Sequence, residues 1–411
     1  LRLIVAVAVV VSVVAGCSSS PPRQESYNRP TRSLQPAFDG APDLPPADLT
    51  NDGPGSLVDA KPMTSSAALQ TASATAVRVT YRSTSSTGQP TEVSGVVAVP
   101  PGKPPKGGWQ IVSFAHSLTG LDMKCAPSIA KEFGGYASAI VTLLARGYVV
   151  AVSDYQGLGM KGFDHNALDW TTLGNNIIDI VRAARRVDPD TSTQWAADGG
   201  GQGGLAAWAA AERARDYGAG LNMVGAVSLS PFADLSPLAD LANKGTLTGL
   251  QQRLYMLLLQ NISAGKPDFD LDAYRSGVAK DQWGMLIDCA PNDPAQAGRV
   301  ASSVKNDDLR PRDDAAAQAL KDILSATALP GNSGATPVPV LVVYATDDTL
   351  VPAAGVARAL KAACAKGDPI VVMKEIGETT TTNFQVIQSS LSWLRSRFDG
   401  EKPSDVCVGA S

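Results

Sequence analysis

Apolar and polar positions alternate in two early segments, Ala76-Val77-Arg78-Val79-Thr80-Tyr81 and Glu92 to Val99. That period of two is the signature of half-buried strands and predicts an antiparallel pair at the start of a sheet. Farther along, the apolar positions stop alternating and run together, at Gln110 to Ala115, Tyr148 to Val152, Val224 to Leu229, Val338 to Tyr344 and Pro369 to Met373. Unbroken runs of this kind suit strands covered on both faces. Between them apolar residues recur at helical spacing near Ile129 to Arg146, Leu173 to Val187, Gly204 to Asp216, Ala354 to Cys364 and Phe384 to Phe398. Strand and helix thus alternate, which predicts an α/β fold with a mostly parallel, doubly covered sheet. Roughly a hundred residues between Ser230 and Val338 break the alternation, far more than an ordinary connection needs. They are expected to form an inserted helical cap at about 232–335. Within it Leu250, Leu254, Leu257, Leu258 and Ile262 fall on one helical face, expected to pack against the cap's own core.

The pattern at the start of the chain is different. Arg2 precedes an apolar run from Leu3 to Gly16, shorter than the roughly 20 residues that span a bilayer but suited to the core of a signal peptide. Val14-Ala15-Gly16-Cys17 resembles a bacterial lipobox. The resemblance implies that Cys17 is diacylated, becomes the mature N-terminus and holds the protein on the extracytoplasmic face of the cell membrane; an ordinary secretory peptide is the alternative. Residues 18–60, rich in Pro, Ser, Asp and Gly, bury too little apolar surface to fold alone and read as a flexible tether. Residues 61–411 are left for one catalytic-type domain carrying the cap.

Composition narrows the partners. With 44% hydrophobic and 18% charged residues the chain has material for a sizeable core. A net charge of -4 carries no polyanion-binding signature, so no nucleic acid partner is expected. Beyond Cys17, four cysteines remain, at 125, 289, 364 and 407. Export favours disulfides. Three pairings are open, and the spacing favours Cys364 with Cys407 and Cys125 with Cys289. No Cys-x-x-Cys occurs and the chain has 2 histidines, so no metal site is expected, and no cofactor motif stands out.

The chemistry concentrates at Gly199-Gly200-Gly201-Gln202-Gly203-Gly204, preceded by a strand end, Trp195-Ala196-Ala197-Asp198, and followed by the helical Leu205 to Ala211. Strand, glycine turn and helix make the context of the G-x-S-x-G nucleophile elbow of the α/β-hydrolase fold, with Gly201 where the serine belongs. Other segments extend the likeness: Phe114-Ala115-His116-Ser117-Leu118-Thr119-Gly120, Cys125-Ala126-Pro127-Ser128, Ser153-Asp154-Tyr155-Gln156-Gly157-Leu158-Gly159, and Asn222 to Leu235. Taken in order, from about residue 76 to 398, they resemble the secretory lipase family, lipid-cleaving α/β-hydrolases with a helical cap.

The resemblance implies an acid at Asp348, in Tyr344 to Pro352, and oxyanion-binding amides at Gln202, Ser117 and Leu118. It also implies a histidine after the last strand, where this chain has Thr379-Thr380-Thr381-Thr382. Glycine cannot form an acyl-enzyme, and the base position is empty too. The two histidines, His116 and His165, precede the elbow and do not fit the Ser, Asp, His order of this fold. His116 is expected either to fix its loop or to serve as an alternative catalytic residue with Asp198, and His165 to lie in an exposed loop over the site.

Ser228 and Ser230 read as strand-end hydrogen bonders. Asp198 is an alternative nucleophile or base if its side chain faces the cleft. Three readings follow. The leading one is a lipid-anchored pseudo-lipase that binds an acyl lipid, fatty acid or envelope partner. The second is a lipase or carboxylesterase working through a rearranged site with Asp198 and a histidine. The third is a cell-envelope scaffold whose protein partner is unknown.

Overall fold

The computed structural model describes residues 51, 53–332, 334–377 and 384–410. Nine strands form one sheet: β1 Leu57–Pro62, β2 Thr75–Thr84, β3 Pro90–Val99, β4 Trp109–Ala115, β5 Val149–Ser153, β6 Thr191–Gly200, β7 Asn222–Leu229, β8 Val340–Ala345 and β9 Ile370–Glu375. Their order is β1-β2-β3-β5-β4-β6-β7-β8-β9. The expected antiparallel pair is β2 with β3, in register Val77↔Val97, and β3 runs antiparallel to β5. All pairings from β5 through β4 to β9 are parallel.

Twelve α-helices accompany the sheet among the described residues: α1 Ala67–Ala72, α2 Ala137–Leu144, α3 Trp170–Val187, α4 Gln202–Arg213, α5 Pro237–Lys244, α6 Gly249–Gly265, α7 Gly277–Asp281, α8 Trp283–Ile287, α9 Pro294–Ser303, α10 Asp314–Ser325, α11 Ala353–Lys366 and α12 Phe384–Phe398. Alternate strand residues feed two cores, as the unbroken apolar runs require. Val112, Val150, Ala196, Val227 and Val343 pack with side chains of α1, α2 and α12. Ile111, Ala151, Ala197, Ala226 and Val342 pack in the larger core with α3, α4, α11 and the cap helices.

The connection from β7 to β8 carries α5 to α10. Helix α6 starts with a capping box in which Thr248 and Gln251 satisfy each other's backbone amides. Leu254, Leu257, Leu258 and Ile262 are buried, but Leu250 is 57% exposed, a correction to the apolar face expected of it. It stands in the first turn, beyond the reach of the cap core. The disulfides are those that the spacing favours: Cys125–Cys289 joins the loop after β4 to the cap, and Cys364–Cys407 joins α11 to the C-terminal segment.

Two further departures have local causes. The stretch read as tether to residue 60 already holds the start of β1, an edge strand paired with β2. Its six residues end in proline and alternate too briefly to stand out. The helix expected from Ile129 to Arg146 is confined to α2, because Glu132, Phe133 and Gly134 adopt left-handed backbone angles just before it.

Candidate active site

At the C-terminal end of β6 the chain turns sharply into α4. Gly201, between them, has φ 59° and ψ -117°, a conformation that L side chains adopt at a cost. Its N–H donates to Leu229 O at 2.9 Å, and its carbonyl accepts from Leu205 N at 3.0 Å and Phe232 N at 3.1 Å. The turn crosses β4 so closely that a β-carbon at Gly203 would lie 1.9 Å from Ala115 O, which explains a glycine there. The elbow backbone is therefore complete without its hydroxyl.

The space for that hydroxyl is filled from elsewhere. A β-carbon on Gly201 would lie 2.5 Å from Ser117 Oγ and 3.2 Å from Phe232 Cε1. The Ser117 amide donates to the Tyr136 hydroxyl at 3.2 Å, so this N–H is not offered to a ligand. Leu118 beside it is half-buried and packs on the larger core. Gln202, as the first residue of α4, keeps a backbone N–H with no acceptor inside the helix. No sequence signal marked the approach of Ser117 to Gly201, because it joins two loops 84 residues apart (201 minus 117).

The acid loop is formed and already occupied. Asp348 Oδ2 accepts from Ser230 Oγ at 2.7 Å, while Oδ1 accepts from Leu350 N at 2.8 Å and Val351 N at 3.0 Å. Ser228 Oγ donates to Gly204 O at 2.8 Å. Ser228 thus ties β7 to the start of α4, and Ser230 ties the end of β7 to the loop after β8. Thr379 to Thr382, the empty base position, lie outside the described residues.

Neither histidine is placed to activate a hydroxyl at the elbow. His116 is fully buried, with Nδ1 2.7 Å from Ser117 O and Nε2 3.3 Å from Asp154 O. Burial holds its pKa below the ordinary imidazole value, and the shorter contact places the proton of the neutral ring on Nδ1. His165 is buried as well, which corrects the exposed loop expected for it. Its Nδ1 donates to Gln156 O at 2.9 Å, its Nε2 accepts from Gln202 Nε2 at 3.0 Å, and its carbonyl accepts from Asn261 of α6 at 2.8 Å. Burial pushes its pKa down to about 4. His165 is a strut between the elbow and the cap.

Asp198 stands in β6 opposite Phe114 and Val227, and so shares the sheet face of Ala196 that α2 and α12 cover. Burial pushes its pKa up to about 7. Asp154 is the centre of a scaffold: it accepts from Ser94 Oγ at 2.6 Å, Ser128 N at 2.9 Å and Ser128 Oγ. Arg78 extends the network to Ser128 Oγ and Gly159 O. The segments 125–128 and 153–159 singled out in the sequence therefore brace the floor around the elbow.

An α/β-hydrolase with a formed elbow and acid loop is the class of protein that this sheet and these turns define. The chain belongs to the secretory lipase family, whose model, Secretory lipase, matches residues 135–406. It is similar to a probable inactive lipase of Mycobacterium tuberculosis (strain CDC 1551 / Oshkosh), with 26% identity over 401 residues, 93% of this chain and 87% of that protein. Lipase A of Arthroderma benhamiae is 23% identical over 356 residues, 79% of this chain and 70% of that protein. Among solved structures, Candida antarctica lipase A in its closed state has a TM-score of 0.70 at 19% identity, over 92% of this chain and 89% of that one. At that identity the likeness speaks for the fold.

Proposed function

We propose that the protein is a catalytically inactive member of the secretory lipase family, anchored to the cell membrane through Cys17, that binds an acyl lipid or fatty acid without cleaving it. The observation that carries this reading is the filling of the nucleophile's place: Gly201 has no side chain, and Ser117 Oγ lies 2.5 Å from where its β-carbon would be. Asp348, the residue that would orient a base, is engaged by Ser230 instead. In a serine hydrolase the loss of one triad member removes most of the rate and leaves about 10³ to 10⁴ over water. The Gln202 amide at the start of α4 and the apolar cap remain to receive a carboxylate or ester oxygen and an acyl chain.

A second reading, an esterase with a rearranged site, is favoured by one observation. Asp198 has no hydrogen-bond partner among the described residues and a pKa near 7, suited to proton transfer at neutral pH. One experiment separates the two. The chain from residue 18 onward is assayed on short- and long-chain p-nitrophenyl esters, beside Asp198→Asn, and titrated with a fluorescent fatty acid. The proposal expects saturable fatty-acid binding and no turnover above buffer. Turnover that Asp198→Asn abolishes would establish the second reading, and absence of both turnover and binding would leave the scaffold.

A further inference from the structure

At the opposite end of the sheet from the elbow, two hollows meet at Leu221, which lines both. The first, of about 340 Å³, is walled by Arg182, Arg185 and Arg186 of the last turns of α3 and by the small residues Ala219 and Gly220. The second, of about 310 Å³, is lined by Trp195, Ala214, Arg215, Met223 and Val338 among others. Both lie where α3 and α4 end and β6 and β7 begin. At about 3.3 Å per strand residue, Trp195 is some 20 Å from Gly201.

The chemistry of this corner is lopsided. Spacing of three and four residues puts the three arginines of α3 on one face. Arg182 is fixed: it pairs with Asp179 at 2.6 Å, donates to Tyr217 O and Ala219 O, and lies over the Tyr217 ring. Arg185 has no ion pair among the described residues, and its Nε is buried with no acceptor. Across the 218–221 loop, Trp195 is 1% exposed and its indole N–H is likewise buried without an acceptor. A buried donor left unpaired costs about 1–3 kcal/mol. Arg185, whose guanidinium charge no carboxylate answers among the described residues, borders the first hollow, and Trp195 borders the second.

We propose that this corner is a second ligand site, which takes a phosphate ester. The phosphate sits against Arg185 between its neighbours Arg182 and Arg186, and the organic portion enters the hollow that Trp195 and Met223 line. A phosphate carries more charge and more acceptor oxygens than a carboxylate, and its geometry suits planar guanidinium groups. Two sources supply this chemistry, a phospholipid headgroup and a soluble phosphate ester. Gly55, near the first described residues, is packed against Arg182 at this corner. The site is independent of the reading of the elbow.

The test uses the full chain with Cys17→Ser, which removes acylation, and compares it with the same chain carrying Arg185→Gln. Inorganic phosphate is titrated calorimetrically with acetate as competitor, and flotation is measured with phosphatidylglycerol and phosphatidylcholine vesicles. The expected result is saturable phosphate binding that Arg185→Gln weakens tenfold or more and that acetate does not displace. Preference for phosphatidylglycerol that Arg185→Gln removes would assign the headgroup as source; phosphate binding with no such preference would assign a soluble ester. Phosphate binding that is absent, equal in the two chains or matched by acetate overturns the proposal. Arg185→Lys, which keeps the charge and the fold, is expected to retain part of the affinity.

Discussion

At the scale of single residues, two groups beside the elbow, the half-buried Asp198 and the buried His165, are shifted in opposite senses. Burial raises Asp198 from the ordinary 3.8 to about 7. An acid raised on folding contributes stability that is complete below about 4 and is lost as the pH climbs through 7. Burial lowers His165 from 6.5 to about 4, so its contribution is complete above 6.5 and is lost as the pH falls through 4. Urea unfolding between pH 4 and 8 is therefore expected to show Asp198→Asn gaining stability towards pH 8, on the order of 2 kcal/mol once solvent screening is allowed for. His165→Gln is expected to flatten the loss between pH 6.5 and 4. Slopes unchanged by either substitution would contradict these shifts. The positions of the site residues were legible in the sequence, but their surroundings were not. Gly201 and Asp348 could be aligned with a motif, whereas the burial of His165 depends on Gln156, Gln202 and Asn261, which come from three separate segments.

At the scale of elements, the strand–turn–helix elbow has adapted to its glycine. A side chain at φ 59° costs of the order of 1–3 kcal/mol, and at Gly201 it also meets Ser117 Oγ at 2.5 Å. Gly201→Ser is therefore expected to lower the unfolding free energy by about 1–3 kcal/mol and to hydrolyse no p-nitrophenyl ester, since no histidine stands ready to take its proton. Ser117→Gly in the same chain should recover part of the stability and still give no turnover. Ester hydrolysis by Gly201→Ser alone would sink this account. The elements themselves were largely legible. Strands β4, β5, β7 and β8 and helices α11 and α12 declare themselves through unbroken apolar runs or helical periodicity. Edge strand β1 is short, and the turns before α2 are set by the left-handed angles of Glu132 and Phe133; in neither is the deciding contact local.

At the scale of the whole molecule, one ion cluster ties α4 to the connection between α11 and β9. Lys366 at the end of α11 pairs with Glu212 of α4 at 2.6 Å and with Asp368, just before β9, at 3.3 Å, and both carboxylate side chains are fully buried. Removing the lysine takes the nearest cation from two buried acids, so Lys366→Met is expected to cost about 3–5 kcal/mol in urea unfolding. Lys61→Met, whose partner Asp59 is exposed, should change stability by less than about 1 kcal/mol. Equal effects of the two substitutions would show that the cluster adds nothing. The sequence by itself determined the alternation of strand and helix, the cap insertion, the favoured cysteine pairing and the absence of serine at the elbow and of histidine after the last strand. These follow from residue identity and from the periods of two and 3.6 that each element imposes. Only the tertiary structure decided that Ser117 fills the nucleophile's place, that Ser230 holds Asp348, that His165 braces the cap, and that Arg185 and Trp195 border adjoining hollows. Those facts are distances between side chains remote in sequence, and such distances are set by how the layers pack, not by any local pattern along the chain.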